Sequence, residues 1–488
     1  MSERLHTDDM AFLVTESAST PMHNATLDVF EPPRDGFDYD TLLRLIADRI
    51  AFVPRYRQRI APVPAHLGNP VWVDDDDFDL TFHVRRSALP RPGSMDQLRD
   101  LTARIVSRRL DRHRPLWEVY LIEGLEGGRF AILSKAHQVL VDGVSIDLGQ
   151  VLLDVDDKPR ETVQDNWAPR PVPSPPSLAV RAVLESVRDP RVAVATAGSN
   201  VRGLLRSAGS FRSRAREAAG TLSGGRAAPD SPINVALSEQ RRFATVRTDL
   251  DDYRTVRREH GGTVNDVILA TVTGALRFWL MTRAEPVHSS RSLRALVPMS
   301  VIDSDLEPTA LGSQVAGHLL SLPIGEPSPV VRLHQVSYAL KAHKETGHAV
   351  AADRLTGVAG FAPTTFHALG ARLAASEARR NFNLVVTNVP GPQFPLYAAG
   401  AQMLQSYPVP PLLPDHALAI GVTSYDGGIY FGLTADRDAV PDLEVLAQCV
   451  EEALEELVDS SSEARERAPR GKKAPPEKPA AKKTGKRP

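Results

Sequence analysis

Lys135-Ala136-His137-Gln138-Val139-Leu140-Val141-Asp142-Gly143-Val144-Ser145 is the stretch on which the fold turns. It follows an apolar run, Arg129 to Lys135, that reads as a strand, and it precedes Val144 to Leu153, which reads as a helix. His137 and Gln138 follow the strand, at the entry to a turn. Asp142 and Gly143 close the turn that follows. Gly143 supplies a residue free to take positive φ, and Asp142 can cap the helix or hold an arginine. Neighbouring side chains on an extended strand point to opposite faces, so His137 and Gln138 look different ways. One histidine near one aspartate is, by itself, a weak sign of chemistry.

Upstream, a second strand over Glu118 to Ile122 is joined to the first through Gly124, Gly127 and Gly128, which suits a hairpin. Ser94-Met95-Asp96-Gln97 is a capping box that opens a helix with Leu98, Leu101 and Ile105 on one face. Tyr39 to Ile50 carries a helical stripe. Residues 1–155 therefore read as one α/β unit. A Pro-rich stretch and a basic amphipathic segment with Arg202, Arg206, Arg212, Arg214 and Arg216 fill 156–232. That segment can strap across the molecule or lie on a membrane surface. Residues 233–460 form a second unit. Its expected strands are Arg241 to Thr248, Leu293 to Val297, Leu384 to Thr387, Ala417 to Ser424 and Ile429 to Thr434. Its expected helices are Val264 to Met281, Val330 to Glu345 and Asp442 to Val458. Residues 461–488 read as a disordered basic tail.

The 488 residues exceed one core, and a net charge of −2 hides an asymmetry. From Arg465 onward there are ten Lys/Arg and two Glu, which leaves the rest of the chain near −10. Such a body is a poor nucleic-acid binder. The tail reads either as a solubilising tail or as an anchor for anionic lipid. The single cysteine, Cys449, lies in an apolar helical run, reads as core and fits a reducing cytosol. Met1 to Asp9 is polar and no secretory signal is expected; no window reads as a membrane-spanning helix. Asp74-Asp75-Asp76-Asp77 reads as a solvated acidic loop, since adjacent acids diverge and no EF-hand spacing follows. No metal site is expected. Neither a phosphate-cradling Gly loop nor a Gly-x-Ser-x-Gly elbow is present.

The quoted stretch resembles the His-His-x-x-x-Asp-Gly motif of a large acyltransferase superfamily, with Gln138 where the second histidine stands. Further blocks are similar to those of the bacterial wax ester synthase/diacylglycerol acyltransferase family: Asp9 to Leu13 with Met22-His23, Phe78-Asp79-Leu80 with His83-Val84-Arg85, and Leu110 to Glu118. Thr263-Val264-Asn265-Asp266-Val267, Leu296 to Ser300, Thr387-Asn388-Val389-Pro390-Gly391-Pro392 and Ser424 to Gly427 follow in order. The resemblance spans roughly residues 8 to 458. It implies two chloramphenicol-acetyltransferase-like domains with a tunnel between them and a crossover linker. It implies long-chain acyl-CoA as co-substrate, no other cofactor, and diacylglycerol or a fatty alcohol as acceptor. The setting would be cytoplasmic, peripheral at the inner membrane or a lipid droplet.

By the same resemblance, His137, Gln138, Asp142 and Gly143 would form the catalytic motif, with Asp142 and Gly143 shaping the turn. Asn265, Asp266, Asn388, Pro390 and Gly391 would border the substrates. Asn265 reads first as a cap for a helix starting near Val267. An alcohol needs its proton removed as it attacks, and a neutral imidazole supplies about 10²- to 10⁴-fold. Gln138 has no titratable group. Three readings fit: an acyltransferase with reduced activity or another base, such as His137; a lipid or acyl-CoA binder without turnover; or acyl transfer to an amine or thiol.

Overall fold

A computed structural model of the chain describes residues 3–5, 7–64, 67–140, 148–158, 165–180, 228–300, 315–346 and 381–467. Asp142 and Gly143, most of the basic segment of 156–232 and most of the tail lie outside these residues.

Two six-stranded sheets organise the molecule. The first contains β1 (His23–Glu31), β4 (Val84–Ala88), β5 (Trp117–Glu123), β6 (Phe130–His137), β11 (Tyr397–Ala398) and β12 (Ala401–Val409), in the order β11-β12-β1-β6-β5-β4. The second contains β7 (Arg241–Asp249), β8 (Leu293–Ser300), β9 (Val315–Leu322), β10 (Leu384–Val389), β13 (Leu418–Tyr425) and β14 (Gly428–Asp436), in the order β7-β14-β13-β10-β8-β9. A small hairpin joins β2 (Gln58–Ala61) to β3 (Val71–Asp74).

The expected α/β class and both expected strands flanking the glycine hairpin are present, with Gly124, Gly127 and Gly128 at φ of 86°, 76° and 75°. The division at residue 233 is not kept by the sheets. β11 and β12 come from the second unit yet extend the first sheet, where β12 runs antiparallel to β1. Their residues were not expected as strands, because Gln402, Gln405 and Ser406 interrupt the apolar pattern. Glycines admit the crossing. Gly421 on β13 stands opposite Gly432 on β14. A Cβ at Gly432 would meet the Pro408 carbonyl oxygen at 1.7 Å, and one at Gly421 would meet the Pro408 ring at 2.9 Å. Only bare backbone lets β12 pass so close.

Further contacts lock the halves. Arg241, 6% exposed, donates from Nη2 to the Ser19 carbonyl, and its backbone N–H donates to Ser107 Oγ at 3.1 Å. Arg99 Nε donates to Thr245 Oγ1 at 2.7 Å.

The helix Val264–Thr282 corrects the expectation about hydropathy. It is long and apolar enough to cross a membrane by composition, with mean hydropathy 1.3, but 72% of that window is buried inside the protein. Trp279, Val272 and Leu269 are fully enclosed in the second core. Cys449 belongs to the same core, and burial pushes its thiol up to about 11.

The acidic stretch is also not a solvated loop throughout. Asp74 and Asp75 are buried. Asp74 accepts from Arg170 Nε at 2.9 Å and from Arg170 Nη2 at 3.1 Å, and Asp75 pairs with Arg59 at 3.4 Å. The Pro-rich linker is thereby fastened to the β2–β3 hairpin. Arg57 reaches Asp165, and Leu178 packs with Val63, Val71 and Val73.

Candidate active site

β6 delivers the motif. Its last residue, His137, donates its backbone N–H to the Leu116 carbonyl at 2.9 Å. Gln138 then opens a 3-10 turn, Gln138–Leu140, and donates its N–H to the Met22 carbonyl at 2.9 Å. The motif is thus seated between the Leu110–Glu118 block and Met22-His23, two of the blocks quoted above.

His137 is fully buried, with Nδ1 hydrogen-bonded and Nε2 facing a carboxylate just beyond hydrogen-bond distance. The Val139 N–H donates to Nδ1 at 3.2 Å, which places the ring proton on Nε2. Nε2 lies 3.6 Å from Glu16 Oε1. Glu16 Oε2 in turn accepts from Arg112 Nε at 2.8 Å and from Arg112 Nη2, while Oε1 receives the Met22 N–H at 3.4 Å. Burial opposes the charge on Glu16, but His137 and Arg112 outweigh it and hold the carboxyl down at about 2. Burial also lowers the His137 pKa, against the pull of Glu16, so the ring stays neutral. In this arrangement the His137 ring is turned toward Glu16, with Nδ1 occupied by the Val139 N–H.

Gln138 is the opposite case. It is fully buried, and among the described residues neither Nε2 nor Oε1 has a hydrogen-bond partner. A buried primary amide with both ends open is a donor and an acceptor without a ligand.

Beneath the motif, His23 and Lys135 hold the end of the Met95–Val106 helix. His23 stands opposite His137 across β1 and β6, and its Nε2 donates to the Val106 carbonyl at 2.7 Å. Lys135 Nζ donates to the carbonyls of Ile105 at 3.2 Å and Arg108 at 2.6 Å. Burial brings the Lys135 pKa down to about 8.

On the second sheet, Asn388 at the end of β10 donates from Nδ2 to Asn265 Oδ1 at 2.9 Å. Both residues are half-buried. Asn265 is not the cap expected of it. Thr263 is the N-cap of Val264–Thr282, and Asp266 completes the capping box. Asp266 is buried, and its Oδ2 also accepts from Ser337 Oγ at 2.9 Å, so it is committed to structure. The Gly391 N–H donates to Ser424 Oγ at 3.0 Å, which ties the half-buried Pro390 turn to β13. The expected residues thus form two groups, His137 with Gln138 and Asn265 with Asn388. Glu16 and Arg112 were missed as members of the site, although Arg112 lies inside a quoted block. Among the described residues, no group of three or more His, Cys, Asp or Glu is placed to hold a metal.

Two mixed sheets, the first extended by two strands that cross over from the second unit, define a two-lobed fold of the condensation-domain type. The first condensation domain of the CDA synthetase matches it with a TM-score of 0.52 at 16% identity, over 94% of this chain and 97% of that one. The chain belongs to the wax ester synthase/diacylglycerol acyltransferase family: the catalytic domain of that family matches residues 5–268, and its C-terminal domain matches residues 311–458. The wax ester synthase/diacylglycerol acyltransferase of Marinobacter aquaeolei superimposes with a TM-score of 0.64 at 28% identity, over 94% of this chain and 100% of that one. A Mycobacterium tuberculosis protein named probable diacylglycerol O-acyltransferase tgs1 is 35% identical over 463 residues, 93% of this chain and 95% of that protein.

Proposed function

We propose that the chain transfers a long-chain acyl group from acyl-CoA to the hydroxyl of diacylglycerol, or of a fatty alcohol, at Gln138. The observation that carries this reading is the buried amide of Gln138, just past the close of β6, whose two ends find no partner among the described residues. Leaving such groups unpaired costs about 1–3 kcal/mol each, which a ligand offsets by completing them. Oε1 accepts a hydrogen bond from the acceptor hydroxyl, and Nε2 donates to the thioester carbonyl oxygen. The hydroxyl oxygen forms the new C–O bond, the C–S bond breaks, and the hydroxyl proton leaves with the CoA sulfur as thiol. Gln138 orients the reactants but takes no proton, so turnover is slower than an imidazole would give. The names of the relatives support the acceptor class. The substrates meet in a tunnel between the two halves, and no cofactor beyond the acyl-CoA is required.

A second reading, binding without turnover, is favoured by one observation: the residue at the base position cannot titrate. Titrating the purified chain with a long-chain acyl-CoA, then following CoA release with diolein, a fatty alcohol or an amine, separates the two. Ester formation supports transfer. Binding without release supports the second reading, amide formation moves the acceptor class, and no binding contradicts both. The proposed setting is cytoplasmic, at the inner membrane or a lipid droplet, with the basic tail of 461–488 against anionic lipid. Loss of flotation with anionic vesicles on removing the tail is the expected result.

A further inference from the structure

From Arg104 to Arg114 the chain carries five arginines and one aspartate, a net of +4, in a body that is otherwise strongly acidic. Arg104, Arg108, Arg109 and Arg112 are exposed, and Arg114 is half-buried with its guanidinium 4.0 Å over the Phe82 ring. Arg108 and Arg109 make no ion pair among the described residues. Like charges concentrated this way repel one another unless an anion is present. The segment, with Leu116 just beyond it, is fastened to the motif strand at three points. The Arg108 carbonyl receives Lys135 Nζ at 2.6 Å. Arg112 grips Glu16, which faces His137. The Leu116 carbonyl receives the His137 N–H at 2.9 Å.

We infer that Arg108 and Arg109, at the head of this loop, bind the phosphates of the acyl-CoA nucleotide. The inference rests on the acyl-CoA reading above and adds where the anionic end docks. Guanidinium groups pair with phosphate through forked hydrogen bonds. The pantetheine arm separates the thioester from the phosphates, so the anion site belongs at the surface, and Arg108 and Arg109 are exposed on a loop hydrogen-bonded to β6. The surrounding negative charge makes the patch the local focus for an anionic co-substrate, with capture that weakens as salt rises.

The test compares equilibrium binding of lauroyl-CoA and S-lauroyl pantetheine, which share the thioester and arm and differ in the nucleotide. The wild-type chain is expected to prefer lauroyl-CoA by about tenfold or more, equivalent to about 1.4 kcal/mol or more. The double variant Arg108→Gln/Arg109→Gln is expected to lose that preference while binding S-lauroyl pantetheine as before. Arg257→Gln/Arg258→Gln removes the same charge from an exposed stretch on the other half and is expected to keep the preference. A preference that survives in the first variant overturns the inference. So does a parallel loss of both ligands, which marks a structural defect, and so does weakened adsorption to anionic vesicles with the preference intact, which assigns the arginines to a membrane. If the wild type binds neither thioester, the acyl-CoA reading itself fails.

Discussion

Glu16 Oε1 and His137 Nε2 face each other at 3.6 Å, each on a side chain only 1% exposed. The pair joins an N-terminal block to the motif, and Arg112 adds a third block by gripping the same carboxylate. A neutral imidazole against an ionised, arginine-held carboxylate is a scaffold for the backbone of Gln138, because Glu16 also receives the Met22 N–H and Met22 receives that of Gln138.

The Glu16 carboxyl has an ordinary value of 4.5 and is held at about 2 in the fold. A depressed acid stabilises the fold above its unfolded pKa, and that contribution is lost as pH falls from about 4.5 toward 2. Its size is on the order of 3 kcal/mol. Glu16→Gln is expected to lower stability at pH 7 by a few kcal/mol and to flatten that acid limb in denaturant melts. An unchanged acid limb would contradict the coupling.

Three buried histidines act at higher pH. Burial lowers the pKa of His23, His83 and His137 below 6.5, His83 to about 4. The unfolded chain therefore binds more protons, and stability falls as pH drops below about 6.5, for His83 down to about 4. Thermal melts at pH 7 and pH 5 are expected to differ by several degrees. His83→Phe, which keeps a ring against Trp117 at 4.6 Å, is expected to narrow that gap.

The crossing of β12 rests on backbone clearance. Gly432→Ala puts a Cβ 1.7 Å from the Pro408 carbonyl oxygen and is expected to destabilise by about 3 kcal/mol or more. Gly427→Ala, in open space but at φ 79°, is expected to cost less, from backbone strain alone. Comparable losses in chemical melts would contradict the role given to the crossing.

Legibility followed locality. The capping boxes at Ser94 and Thr263 are short-range patterns, and both are present. The Thr263 box was misassigned to Asn265 because both residues are cap formers two positions apart. β12 escaped notice because its polar residues make partners that only the fold supplies, such as Ser406 Oγ to Asp28 at 2.6 Å. Glu16 escaped for the same reason: its partners lie 96 and 121 positions away, at Arg112 and His137. Asp74 looked like solvent-facing charge until Arg170 was placed on it.

The asparagine pair gives a test on the second lobe. Asn388→Ala and Asn265→Ala are each expected to cost about 1 kcal/mol, and the double variant less than the sum, because both remove one bond. Full additivity would contradict the pairing. If the pair borders the substrates, both variants also raise KM for acyl-CoA or acceptor.

The most direct measurement is the rate of transfer from a long-chain acyl-CoA to diolein by the wild type and by Gln138→His, across pH 5.5 to 8.5. The account predicts a slow wild type with no imidazole-like ionisation in its rate. It predicts a variant faster by about 10²-fold or more, with a rise in rate as the new imidazole loses its proton. Equal rates, or a wild-type profile that already shows that ionisation, would contradict the claim that Gln138 orients the reactants without taking the proton.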